Sequence, residues 1–314
     1  MADLFGFDTH LLFFTALVTV AMQLTFFFIA ASFKFDKVTD FAGGSNFVLL
    51  AWLTYLINGT FYWRQTMVTL AVTAWGARLS GYLLYRILKI GKDDRFDGTR
   101  EDFCKFLAFW VYQMFWVWTV SLPVTFLNTT AADPGLDARD VAGAAMFVAG
   151  LLVEAVADQQ KFSFKSTPGN RGKYCDTGSW SWSRHPNYFG EILLWWGLFT
   201  VSSSVFNAAK ADSDGAWGYA TIAGPIFTTL ILLFVSGIPP LEASYDEKYG
   251  TQVAYQQWKA RTSCLVPCPP GLYKSLPEIA KKVLFFEWYG AAGSSRLEEQ
   301  HINRPSAEED DSNH

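Results

Sequence analysis

The sequence predicts an all-α, polytopic membrane protein of about seven transmembrane helices. Three observations carry this. Half of the 314 residues are hydrophobic and only 17% are charged, against roughly 25% in a soluble domain. Seven stretches approach the ~20 apolar residues that a bilayer span requires. The basic residues between them alternate in density from loop to loop.

The seven stretches are approximately 10–33, 46–62, 65–88, 104–127, 141–158, 188–206 and 217–238. The first has no Lys or Arg before Lys34 and is longer than a cleaved signal core, so it reads as a first span. The loop at 86–105 holds Arg86, Lys89, Lys92, Arg95, Arg100 and Lys105. The loop at 159–187 holds Lys161, Lys165, Arg171, Lys173 and Arg184, and the segment after 238 is again basic. Between them, 63–65 has Arg64, 128–140 has Arg139 and 207–216 has Lys210. By the positive-inside rule the N-terminus is expected outside or in the lumen and the C-terminus in the cytosol. The sequons at Asn58 and Asn128 fall on the expected outer side.

Residues 1–289 are expected to form a single helical membrane domain. Residues 290–314, small, polar and acidic at the end, read as a disordered tail. An apolar and basic segment at about 275–289 (Leu276, Ile279, Val283, Leu284, Phe286, Trp288) is expected on the membrane surface. The net charge of −4 argues against nucleic acid as a partner. Four cysteines and four histidines make neither a disulfide framework nor a metal set, so no metal is expected.

Ionisable groups within spans are costly and mark polar cavities. Arg78, Tyr82 and Arg86 recur at four-residue spacing on the third span, with Trp75 a turn earlier. Arg86 has the alternative of snorkelling to the interface. Glu154, Asp158, Lys161 and Lys165 share a face at the end of the fifth, as a site wall or a solvated charge ladder.

The densest polar region follows. Lys165 to Tyr174 is a basic loop containing glycines, in which Arg171 and Lys173 suit phosphate or an anionic lipid surface. In Gly178-Ser-Trp-Ser-Trp-Ser-Arg-His-Pro-Asn-Tyr-Phe-Gly-Glu191, Pro186 suits a first helical turn. Asn187 and Glu191 then share a face, and an amide beside a carboxylate is matched to a carboxamide such as that of nicotinamide. Helix polarity at the membrane surface is the plainer alternative. Gly237-Ile-Pro-Pro-Leu-Glu242 closes the seventh span, with Tyr245 and Tyr249 at helical spacing behind it.

From about Glu154 to Pro267 these motifs resemble the membrane reductase and methyltransferase superfamily. It contains the steroid 5-alpha-reductases, sterol C14-reductases and isoprenylcysteine carboxyl methyltransferases. The nearest resemblance is to the uncharacterised branch with a steroid-5-alpha-reductase-like C-terminal region. The carrying segments are Asp158-Gln-Gln-Lys-Phe, Gly172-Lys-Tyr, the run 178–191 and Gly237–Glu242, with Tyr249-Gly250 and Tyr255.

The resemblance implies NADPH held by Asn187 and Glu191 at the nicotinamide, with Arg78, Asp158, Lys165 and Tyr245 around it; Arg171 and Lys173 of the basic loop and Glu242 join them as expected cofactor residues. It implies reduction of a C=C bond conjugated to a carbonyl in a lipid or sterol-like substrate, in the endoplasmic reticulum membrane. This chain departs from the reductase pattern in three places. Lys165 stands for Arg, Glu154 stands for Asn, and the second span lacks the acid that polarises the enone, with Trp75 near the place of its assisting Tyr. Candidate proton donors are Tyr82, Tyr55 and His185. The competing expectations are an S-adenosylmethionine-dependent methyltransferase, which Arg184-His185-Pro186 and Glu242 also suit, and a non-catalytic lipid-binding relative.

Overall fold

The computed structural model describes residues 8, 10–33, 39–90, 102–208 and 215–289. Among these residues the fold is all-helical, with one isolated bridge between Ser183 and Ser263. The helices are α1 (Leu12–Phe33), α2 (Thr39–Asn58), α3 (Trp63–Ile90), α4 (Phe103–Thr129), α5 (Ala138–Ser166) and α6 (Pro186–Phe206). The shorter ones are α7 (Gly215–Ala220), α8 (Ala223–Phe234), α9 (Ile238–Tyr249), α10 (Val253–Arg261), α11 (Pro270–Ser275) and α12 (Glu278–Leu284).

Six segments of the described residues are long and apolar enough to cross a membrane: Leu12–Phe33, Phe41–Asn58, Phe103–Thr129, Ala138–Ser166, Pro186–Phe206 and Trp217–Tyr249. The chain is therefore a multi-pass membrane protein. The third expected span corresponds to α3, which at 28 residues is long enough but is not among the six. Arg64, Gln65, Arg78, Arg86 and Lys89 lower its hydropathy. Lys92, Arg95 and Arg100, and the tail from 290, lie outside the described residues.

The chain divides into two compact units. The first takes residues 1–155 and 190–231, the second 156–189 and 232–314. In the first unit α1 is polar inside and apolar outside. Its buried stripe includes Thr15, Thr19 and Gln23, while Phe13, Leu17, Val20 and Phe28 are exposed. That inversion is stable where the solvent is hydrocarbon and internal hydrogen bonds are at a premium. Gln23 donates to Asn46 Oδ1 at 3.0 Å, and Gln113 donates to Gln23 Oε1 at 3.0 Å, which ties α1, α2 and α4 together.

Asn128 Nδ2 donates to Ala51 O, Thr54 Oγ1 and Thr69 Oγ1 at 3.0–3.2 Å. With its side chain fully buried, the sequon at Asn128 is not a glycan acceptor, and its amide joins α4 to α2 and α3 instead. Arg64 is likewise no free loop cation. It makes a two-pronged pair with Asp140 at 2.8 Å and reaches Asp133 at 2.7 Å, stapling the start of α3 to the first turn of α5 and the segment before it.

Helices α5 and α6 meet antiparallel through glycines. A β-carbon on Gly150 would sit 2.6 Å from Gly190 O, and one on Gly143 would sit 2.6 Å from Gly197 O. The two contact points are seven residues apart on each helix, so the backbones run in contact for two turns.

Candidate functional site

In the first unit, Arg78 of α3 pairs with Glu154 of α5, and Trp75 Nε1 donates to the other carboxylate oxygen of Glu154 at 3.1 Å. The Glu154 side chain is buried and Arg78 is about a fifth exposed. Two charged residues placed in apolar helices by the sequence thus neutralise each other, as burial in low dielectric demands. Trp75 stacks edge-on with Trp195 of α6, centroids 5.0 Å apart.

Two candidate proton donors also belong to this unit, and they do not share a site. Tyr55 bonds Thr66 Oγ1 at 2.8 Å, whereas Tyr82 lies sixteen residues beyond Thr66 on α3, about 24 Å along the axis at ~1.5 Å per residue. Tyr55 fastens the end of α2 to the beginning of α3. Tyr82 is half-buried one turn past Arg78.

The second unit is built around a buried ionic cluster. Arg184 Nε meets Glu242 Oε1 at 3.0 Å and Arg184 Nη2 meets Glu287 Oε1 at 2.7 Å. Its Nη1 donates to Thr262 O at 2.8 Å. His185 Nε2 stands 2.8 Å from the same Glu242 oxygen, and Lys259 Nζ lies 2.9 Å from Oε2. Lys259 also grips Asp246 at 2.7 Å, to which Tyr255 donates at 2.9 Å. Tyr273 donates to Glu287 at 2.6 Å.

Burial pulls the Arg184 guanidinium down, but the Glu242 and Glu287 carboxylates outweigh it and hold it above its ordinary value. Burial holds the His185 imidazole below its ordinary value, against the opposing pull of Glu242. Burial also pushes the Cys264 thiol up to about 12. Glu242 and His185 are therefore committed to this cluster. Lys259 and Glu287 lie 75 and 103 residues from Arg184, and Asp246 lies 13 from Lys259, too far for any local pattern to reveal them.

The tryptophan- and serine-rich motif before Arg184 proves to be its frame. Gly178 has φ +61°, which favours glycine, and Ser179 bonds Gln160 Oε1 through both its N–H at 2.8 Å and its hydroxyl at 2.7 Å. Trp180 Nε1 donates to Ala157 O at 2.9 Å, and Trp258 Nε1 donates to Trp180 O at 3.2 Å. Ser183 Oγ donates to Leu265 O at 2.7 Å, and Arg184 N donates to Ser263 O at 2.8 Å.

The expected cofactor residues of this unit fall into two groups. Lys165 is exposed and its ammonium donates to the carbonyl of Lys173, closing the loop that carries exposed Arg171 and Lys173. Lys161 lies with its ammonium 4.3 Å over the Trp180 ring and 5.8 Å from that of Tyr245. Asp158 is half-buried one turn before Lys161, and Tyr245 is half-buried and packs on Tyr249. Lys161 and Trp180 thus join Tyr245. Among the expected residues neither was singled out for this contact, because the spacing that unites them crosses 65 to 84 residues.

Pro186 opens α6, and His185 stacks on Tyr188 with ring planes 7° apart. Asn187 is half-buried, and its side-chain amide has no hydrogen bond among the described residues. Glu191 follows one turn later, also half-buried.

No curated protein and no solved structure matches this chain. A family model described as "Protein of unknown function (DUF1295)" matches residues 26–262, which take in the spans from α2 onward and both the Arg78–Glu154 and Arg184–Glu242 pairs. The chain belongs to the DUF1295 family.

Proposed function

We propose that the chain is a membrane oxidoreductase that uses NADPH to reduce a C=C bond conjugated to a carbonyl in a lipid or sterol-like substrate, in the endoplasmic reticulum membrane. The observation that carries the reading is the half-buried Asn187 amide, without a hydrogen bond among the described residues, one turn before Glu191. An amide that presents both donor and acceptor, next to a carboxylate, complements a carboxamide. The loop with Lys165, Arg171 and Lys173 supplies cations and backbone N–H groups for phosphates. Bound NADPH would supply the hydride.

The chain's own part is to hold the carboxamide, to neutralise phosphate charge and to donate a hydrogen bond to the carbonyl oxygen as the enolate forms, a proton then passing to the α-carbon. The candidate donors are Tyr82, Tyr55 and His185, of which Tyr55 bonds Thr66 and His185 meets Glu242. In this reading the N-terminus is luminal and the C-terminus cytosolic, so that the basic loop meets cytosolic NADPH.

The second reading is an S-adenosylmethionine-dependent methyltransferase. It is favoured by Arg184, His185 and Glu242, which come together within 3.0 Å. The two are separated by titrating the detergent-purified protein with NADPH and with S-adenosylhomocysteine while following tryptophan fluorescence. The reductase reading expects quenching by NADPH, lost in Asn187→Ala and in Glu191→Ala with the melting temperature unchanged. Normal NADPH binding by both variants would sink it. Quenching by S-adenosylhomocysteine alone would establish the methyltransferase, and by neither compound a non-catalytic relative.

A further inference from the structure

Beyond the cofactor reading, and independently of it, the C-terminal part of the second unit carries an apolar surface that the described residues leave uncovered. Leu272, Ile279, Val283, Leu284 and Trp288 are all exposed, Ile279 by 77%. On α12, Ile279, Val283 and Leu284 occupy one arc of the helix and Glu278, Lys281 and Lys282 the other. Lys281 pairs with Glu278 at 2.9 Å, which leaves Lys282, and Lys274 of α11, as exposed uncompensated cations.

The occupant of this surface follows from where the segment is fastened. Trp288 stacks on Phe234 with centroids 5.2 Å apart and planes 17° from parallel. Tyr289 donates its hydroxyl to the carbonyl of Leu233. Phe234 ends α8 within the apolar segment Trp217–Tyr249, and Phe234 and Val235 are themselves exposed. The segment is therefore pinned at the end of a membrane span, continuous with its lipid-facing surface. Glu287 fixes it from the other side by its bonds to Arg184 and Tyr273.

We infer that residues 270–289 form an in-plane membrane anchor: α12 lies in the headgroup region with Ile279, Val283 and Leu284 toward the acyl chains, and Lys274 and Lys282 against anionic headgroups. Because Glu287 belongs both to this segment and to the Arg184 cluster, seating on the lipid surface also stabilises that cluster.

The test uses the full chain carrying Cys104→Ser, with single cysteines in turn at Ile279, Val283 and Lys282, each spin-labelled in phosphatidylcholine nanodiscs with and without phosphatidylserine. Labels at 279 and 283 are expected to collide more with oxygen than with a water-soluble nickel chelate, and the label at 282 the reverse. Phosphatidylserine should deepen the first two, and Trp288→Ala should return them to water. Nickel-dominated collisions at 279 and 283 would overturn the anchor. So would immobilised labels reached by neither collider, which would mean that a protein surface covers α12.

Discussion

Gly190 of α6 lies directly against the backbone of Glu154 on α5. A β-carbon there would come 2.6 Å from Glu154 N and 2.9 Å from Glu154 Cβ. The glycine of the Asn-Tyr-Phe-Gly-Glu run thus has a packing reason independent of any ligand. It lets the two helices approach so closely that Glu154 is held where Arg78 and Trp75 can reach it.

Gly190→Ala and Gly150→Ala should therefore each destabilise the protein by about 1–3 kcal/mol, the range of overpacking a core, or more, because the obstruction is backbone. Gly81→Ala is the control. Nothing lies within 4 Å of its β-carbon position, and the change should stabilise α3 by roughly 0.5–1 kcal/mol. Fluorescence-detected thermal unfolding in detergent measures all three. Equal behaviour of Gly81 and Gly190 variants would contradict the close helix contact.

Removing one member of the Arg184 cluster leaves the others buried and unpaired. Glu242→Gln strands Arg184, His185 and Lys259 with a weaker acceptor, and a loss of about 3–5 kcal/mol is expected. Combining it with Arg184→Met should cost less than the sum of the two single changes. Additive losses would show that the pair is not coupled.

His185 gives the stability a pH dependence of definite sign. Its imidazole is held below its ordinary value of 6.5 by burial, so the unfolded chain binds a proton there more readily than the folded one. Stability should then fall as pH drops below ~6.5, and be unaffected by this group above it. His185→Gln should flatten that acid arm of the melting-temperature profile. An unchanged arm would assign it elsewhere.

The four cysteines are free, and of them Cys104 is exposed while Cys175, Cys264 and Cys268 are buried. Burial also raises the Cys264 thiol to about 12, so its thiolate is scarce at pH 8. A maleimide should modify Cys104 within minutes and the other three only after denaturation. A membrane-impermeant maleimide applied to sealed vesicles then reports which side holds the start of α4. Labelling from the cytosolic side is the expected result. Labelling from the lumen alone would reverse the proposed topology.

The sequence by itself determined the helical membrane class and the approximate positions of the six long helices α1 to α6, because apolar length acts locally along the chain, whereas the seventh expected span, 217–238, is divided among α7, α8 and the start of α9. It also marked Arg78 and Glu154 as charges too deep in apolar stretches to be incidental, and Arg184 and Glu242 as members of motifs that carry the family resemblance. Only the tertiary structure decided their partners: Arg78 with Glu154 across 76 residues, Arg184 with Glu242 across 58 and with Glu287 across 103. Burial in low dielectric requires that such charges be paired, but which opposite charge arrives is set by how the helices pack. The same packing set Tyr55 of α2 against Thr66, sixteen residues before Tyr82 on α3, and closed Asn128 to glycosylation, since a residue's type says nothing of its distance from another helix.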